Sequence, residues 1–361
     1  MSPSPEMAAL EPDGDRSADD GSGPGLVHAT ILNRTRERLF SSTSPVWIFL
    51  VLMAMVATFG VLRPSEFLGS FDIQSIFTNA AVAMTLAVGM TFVIITAGID
   101  LSVGSVLVLA GVLAAKTMAA FGGSNPYATG WGPIALGLGV GILGGIACGI
   151  VNGTLIAWLR IPPLIVTLGM FGIALGVADV LTSGVDLAGV PNRLGNTLGN
   201  GNLGPVPWLV VIAAVVTLIG GLVLSLTRFG RHTYAIGSNE EAARRAGINV
   251  RWHLVKVYAM AGALAGVGGD LSLAHFTTTT ISGHLEDNLT AISAVVIGGT
   301  SLFGGAGTMI GTVVGVFIPV VLAAGLVIMG VQSFWQQVVT GVILIVAVYF
   351  DQVRRRARNR L

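Results

Sequence analysis

The length of the apolar runs constrains this chain most. Stretches of roughly 18 or more mostly apolar residues recur through it, the length a helix needs to cross a hydrocarbon core. Only 10% of the 361 residues are charged, against about 25% in a soluble globular chain. The chain therefore reads as an all-α polytopic membrane protein.

About ten spans follow from run length, at residues 46–62, 74–97, 101–121, 133–158, 162–183, 208–227, 254–275, 289–301, 306–329 and 332–350. The eighth is short, a half-span or part of a broken helix. Charge placement tests the count, because loops on the cytoplasmic side collect Lys and Arg. With Arg34, Arg36 and Arg38 inside, even-numbered loops should be basic. Arg160 follows span four; Arg228, Arg231, Arg244, Arg245, Arg251 and Lys256 surround the loop after span six. Arg354, Arg355, Arg356, Arg358 and Arg360 fill the tail, and of 19 basic residues only Arg63, Arg193 and Lys116 fall elsewhere. Both termini are expected in the cytoplasm. Residues 1–40 read as a disordered cytoplasmic tail, its first part rich in Pro, Gly, Ser and Asp. Residues 41–353 read as the transmembrane domain and 354–361 as a basic cytoplasmic tail. The amino end lacks the basic and apolar regions of a secretory signal.

Glycine recurs every fourth residue at Gly137, Gly141, Gly145, Gly149 and Gly153. Gly307, Gly311 and Gly315 repeat the pattern, as do Gly172 and Gly176. Such stripes let helix backbones touch where no hydrophobic force drives association. Internal glycines also permit broken helices, which transporters use near substrate.

One stretch breaks the apolar pattern, "GSNEEAARRAGINV" at Gly237–Val250. Ser238 followed by Glu241 spells a capping box. Glu240 and Glu241 in the first turn, with Arg244 and Arg245 near the last, match the helix dipole. Gly247 supplies a left-handed stop, which predicts a helix of about eight residues, roughly 12 Å. Alone in water so short a helix would not hold. Ala242, Ala243 and Ala246 form a small face suited to a groove on a partner; the alternative is a helix resting on lipid headgroups through its arginines.

This stretch resembles the cytoplasmic coupling loop of ABC-importer permeases of the ribose-type sugar family. "GMTFVIITAGIDLSVGSVLVLAG" (Gly89–Gly111) and "AISAVVIGGTSLFGGAGTMIGTVVG" (Ala291–Gly315) are similar to two further segments of that family. The resemblance runs from about residue 45 to 350. It implies a type II ABC-importer-like permease in the cytoplasmic membrane, working as a homodimer. A cytoplasmic ATPase would dock on Ser238, Asn239, Glu240, Glu241, Ala242, Ala243, Arg244, Arg245 and Gly247, and an extracytoplasmic binding protein would deliver a monosaccharide or small polyol. "HFTTTTISGHLEDNLT" (His275–Thr290) departs from the family pattern, a departure that bears on substrate more than on fold.

The chain carries no chemistry of its own to drive transport. A P-loop needs Gly-Lys-Ser/Thr, but Lys116 follows Ala115 and Lys256 follows Val255. HExxH, CxxC and GxSxG are absent too, so neither an enzyme nor a cofactor is expected, and no nucleic acid. Energy must come from another subunit or an ion gradient. Ionisable residues within spans default to functional candidates. Asp100, in "GIDLSVG", would cap the next helix or line the pathway. Asp179 and Lys116 could pair near the outer side; Asp270 and His275 are further candidates. Asn79, Thr91, Thr96, Asn152 and Thr167 are polar at depths where sugar hydroxyls would need partners, although Ser and Thr often bond their own helix. The rival functions are a permease for nucleosides or branched-chain amino acids, an ion-coupled secondary transporter and a membrane scaffold.

Overall fold

The computed structural model describes residues 45–332, together with 334, 335, 338, 339, 341, 342, 345, 346 and 349. The tails expected at 1–40 and 354–361, and part of the tenth span, lie outside the described residues.

The apolar runs become helices α1 (Pro45–Leu62), α2 (Ser70–Ile95), α3 (Val103–Phe121), α4 (Trp131–Leu159), α5 (Pro163–Thr182) and α6 (Trp208–Leu226). Two short polar helices follow, α7 (Arg228–Ser238) and α8 (Glu240–Arg245). The chain then re-enters the apolar region with α9 (Val250–Phe276), α10 (Asp287–Ile297) and α11 (Met309–Ile328). The strands among the described residues are a two-residue hairpin, Asn202–Leu203 with Val206–Pro207, between α5 and α6.

Seven helices, α2 to α6 with α9 and α11, are long and apolar enough to cross a membrane. Ten full spans is therefore more than the described residues carry. The 11 residues of α10 reach only about 16 Å, half a bilayer core, as the short eighth run anticipated.

Helix α9 occupies the centre, packed along α4 and against α2 and α3. The α4 glycines make that approach possible. A β-carbon on Gly145 would collide with the backbone carbonyl of Gly262, and one on Gly262 with the carbonyl of Gly145. Gly149 and Gly153 meet the α9 backbone at Tyr258 and Val255, while Gly137 and Gly141 meet α3 at Ala114 and Ala110. At α11, Gly311 abuts Gly298 and Gly315 abuts the Ala294 carbonyl of α10. The α5 pair behaves differently. A β-carbon on Gly172 or Gly176 meets nothing within 4 Å, so among the described residues that stripe does not join α5 to another helix. Small residues repeat alike on an inner and an outer face, and the repeat does not say which.

Few hydrogen bonds cross between spans; Thr91 Oγ1 of α2 lies 2.8 Å from Thr312 Oγ1 of α11. Close backbone packing therefore carries the bundle. Gly145→Ala is expected to destabilise the purified protein by about 1–3 kcal/mol, the range for an overpacked core. Gly176→Ala should leave stability unchanged or slightly raised, since Ala is the better helix former. Thermal unfolding in detergent measures both, and equal losses would contradict the seam described here.

Candidate functional site

The polar stretch after α6 is two helices where the sequence suggests one. Thr227 caps α7 by accepting a hydrogen bond from Gly230 N at 3.3 Å. Helix α7 then continues through Ser238, so Ser238 belongs to its last turn and is not the cap of α8. That role falls to Asn239, whose Oδ1 accepts from Ala242 N at 2.9 Å. The expected capping box between Ser238 and Glu241 does not form, and α8 has six residues instead of eight. Both Ser and Asn cap well, but Ser238 lies on the helical continuation from Ile236.

The charged residues of α8 pair along the helix. Arg244 bonds Glu240, and Arg245 Nε lies 3.3 Å from Glu241 Oε1. Gly247, at φ +85°, ends the helix in the left-handed conformation that glycine tolerates. The alanine face divides. Ala243 is buried against Ile236 and Val250, whereas Ala242 and Ala246 are exposed. The permease itself thus supports this short helix from beneath.

Helix α7 is fastened at four points that sequence reading passed over. Phe229 lies between Phe92 and His253, with ring centres 5.9 and 4.5 Å away. Thr233 Oγ1 is 2.9 Å from His253 Nε2. Tyr234 donates its hydroxyl to Gly307 O at 2.7 Å, and burial raises its phenol above the ordinary value, so it stays a donor at neutral pH. Gly237 lies directly against the Ile95 carbonyl at the end of α2, and Gly305 N donates to that same carbonyl at 2.9 Å. The readable sign was a Thr cap ahead of Phe229, Thr233 and Ile236 at helical spacing.

Beside α8 opens a cavity of about 560 Å³, within the range of roughly 300–1,000 Å³ typical of small-ligand pockets. Glu240, Glu241 and Arg244 line one wall; Thr96, Ala97 and Gly98, between α2 and α3, line another; Arg160, Arg251 and Tyr258 are also among its lining residues. One cavity therefore touches both the polar helix and the turn after α2.

That turn is built by Asp100, only 2% exposed. Its Oδ1 accepts from Ser102 N at 2.9 Å and from Ser102 Oγ at 2.6 Å. Ser102 Oγ in turn accepts from Asn152 Nδ2 of α4 at 2.9 Å. The turn is tied further by Asn288 Nδ2 donating to Leu101 O and Thr167 Oγ1 to Ile99 O, at 2.9 and 3.4 Å. Asp100 closes the turn and is not among the residues lining the cavity. Asn152 Oδ1 and the Tyr258 hydroxyl, both buried, have no hydrogen-bond partner among the described residues.

Of the remaining polar candidates, Thr96 joins the cavity and the others lie apart from it. Thr96 lines the cavity, its hydroxyl donating to Val93 O at 2.7 Å. Thr91 bonds Ala87 O and Thr312. Asn79 is exposed, 3.4 Å from Ser75 Oγ. Asp179 is half-buried and Lys116 exposed, and the ion pairs among the described residues do not include them. Asp270 is buried at Gly141, and among the described residues neither its Oδ1 nor His275 Nδ1 has a partner.

The divergent stretch from His275 to Thr290 closes the opposite side. Leu187 N donates to Thr279 Oγ1 at 2.7 Å, and Ile281 N donates to Asp186 Oδ1 at 2.8 Å. His284 bridges Ser272 Oγ at 2.6 Å and Asp287 Oδ2 at 2.8 Å, joining the ends of α9 and α10. The void among these residues is about 10 Å³, room for one water at most. This bridge generates a prediction. His284→Leu leaves Ser272 and Asp287 without their partner, so a cysteine placed at Thr280 should react severalfold faster with a water-soluble thiol reagent. An unchanged rate would show that the bridge does not hold the segment in place.

Residues 72–348 match the family described as branched-chain amino acid transport system / permease component. The chain is 33% identical over 338 residues to the fructose import permease of Rhizobium meliloti, covering 91% of this chain and 90% of that protein. It is 36% identical to the D-allose transport system permease of Escherichia coli, covering 84% and 90%. It is 38% identical to the ribose import permease of Bacillus subtilis, covering 84% and 91%. No solved structure matches the chain. Together with the apolar helices, these matches make the chain a multi-pass inner-membrane protein, a permease subunit of the ABC transporter kind that belongs to this family.

Proposed function

We propose that this chain imports a monosaccharide or small polyol, with both termini in the cytoplasm, in a complex of two copies with a separate ATPase. An extracytoplasmic binding protein would deliver the sugar. The activities of the relatives, import of fructose, allose and ribose, support the substrate class. The observation that carries the mechanism is the cavity shared by α8 and the turn after α2.

In this reading α8 receives the ATPase and α7 passes its movement on. The contact of Gly237 with Ile95 joins α7 to the inner end of α2, and the bond from Tyr234 to Gly307 O joins it to the loop before α11. A displaced α8 then moves the wall of the cavity. Tyr258, whose buried hydroxyl has no partner among the described residues, is one of the residues lining that cavity. A buried polar group without a partner costs about 1–3 kcal/mol, so a passing hydroxyl that satisfied one would be favoured. The binding protein provides affinity, and sparse polar lining then lets the sugar leave.

The experiment is uptake and ATP hydrolysis measured together on the complex reconstituted with its ATPase and binding protein. The Glu241–Arg245 pair contributes only about 0.2–0.5 kcal/mol to helix stability, so Glu241→Ala should leave the protein inserted and folded. Sugar-stimulated hydrolysis and uptake should nonetheless fall together. Gly247→Val should lower both further, because a β-branched residue resists positive φ. Full coupling in both variants, or a loss of uptake with stimulated hydrolysis intact, would remove α8 from the transmission path. A panel of labelled sugars tested on the cognate binding protein identifies the substrate.

A further inference from the structure

Helix α4 carries an apolar face that no other helix among the described residues covers. Leu143, Ala147, Ile150 and Val151 are exposed along it, and the face ends at Trp158, 47% exposed. The neighbouring first turn of α9 presents Arg251 and Trp252. The Arg251 guanidinium carbon lies 5.2 Å from the centre of the Trp158 ring. Trp252, 53% exposed, meets Trp158 edge-on at 6.1 Å. Arg160 follows immediately at the end of α4, and lines the same cavity mouth as Arg251.

Two properties separate this cluster from an ordinary charged surface. The ion pairs among the described residues are Arg63–Glu66, Arg244–Glu240, Arg245–Glu241 and His284–Asp287. Arg160 and Arg251 are in none of them. Arg251 instead lies over the Trp158 ring, a position in which the ring face attracts the cation. The two tryptophans also lie at the level where the apolar face gives way to the first cations, as aromatic residues do at a membrane–water boundary.

We propose that the inner ends of α4 and α9 bind the headgroup of an anionic phospholipid. Arg251 and Arg160 take the phosphate, for which guanidinium has matching paired donors. The Trp158 and Trp252 rings sit at the glycerol level, and the acyl chains lie along Leu143, Ile150 and Val151. A lipid is favoured over a protein partner because the cationic cluster continues without a break into a face suited to hydrocarbon. This goes beyond the proposed transport function and holds for whichever leaflet the cluster faces.

The test is native mass spectrometry of the full chain released from detergent with phosphatidylglycerol or phosphatidylcholine added at matched concentrations. Wild type should retain phosphatidylglycerol in preference. Arg251→Gln and Arg160→Gln should each lower that preference roughly fivefold, from the attraction of one basic residue near an anionic surface. Arg63→Gln, with the same charge change at a paired site, should not. Inorganic phosphate should fail to displace the lipid, since it lacks the acyl chains; displacement would mean that the site reads phosphate alone and overturn the lipid assignment. Equal retention of the two lipids, or of phosphatidylglycerol by wild type and both glutamine variants, would overturn it as well. So would variants that keep lipid selectivity but lose the ATPase or the second copy on co-purification, which would mark a protein-docking surface.

Discussion

The contact between Gly145 and Gly262 is the constraint on which the rest of the bundle depends. Each glycine faces the other helix's backbone carbonyl, with no room for a side chain on either. Within a membrane, lipid is as apolar as a leucine, so helices gain little from hiding side chains and much from close van der Waals contact. The α4–α9 seam meets that condition over several turns, from Gly141 to Gly153. It sets the position of Tyr258 relative to Gly98, and of Asn152 relative to Ser102. The polar turn around Asp100 is thus located by an apolar contact.

From that seam the two sides of the chain differ. Near α8 the helices part around a cavity, while beyond Asp270 a polar segment folds in between α9 and α10. Non-helical backbone at such depth needs partners within the protein. The amide of Ile281 takes a carboxylate from Asp186, and the amide of Leu187 takes the Thr279 hydroxyl. His284 spans the two helices that the segment connects. The unusual run of threonines therefore has a structural role whatever it does for substrate.

Much of this was legible in the sequence, for definable reasons. Apolar run length placed the spanning helices within a few residues, since α2 to α6, α9 and α11 each fill a run. The brevity of α10 was visible in the same way. The dipole-matched charges and the stop at Gly247 also read directly. What escaped notice depended on distant contacts or on competition between equal local signals. Ser238 and Asn239 are both good caps, and the choice between them was made by α7, whose Phe229 and Thr233 find partners on α2 and α9. Gly172 and Gly176 resemble Gly145 and Gly149 in spacing and differ only in what lies opposite. Gly237 carries no local sign that it touches Ile95. The family resemblance supplied the ATPase as the expected partner of the polar stretch; residue types alone favoured docking in a partner's groove and kept a headgroup-bound helix as the lesser alternative.

The burial of Ala243 has an effect on timing. Because α8 is already folded on Ile236 and Val250, a protein that grips it meets a finished shape and need not order a loose loop during capture. Ordering costs of that kind, about 0.5–1.5 kcal/mol for each immobilised side chain, are borne when the permease folds. Every later encounter is relieved of them. In the proposed docking, a peg fixed in advance would be seized and released without melting or refolding, so the speed of engagement would be set by collision and orientation.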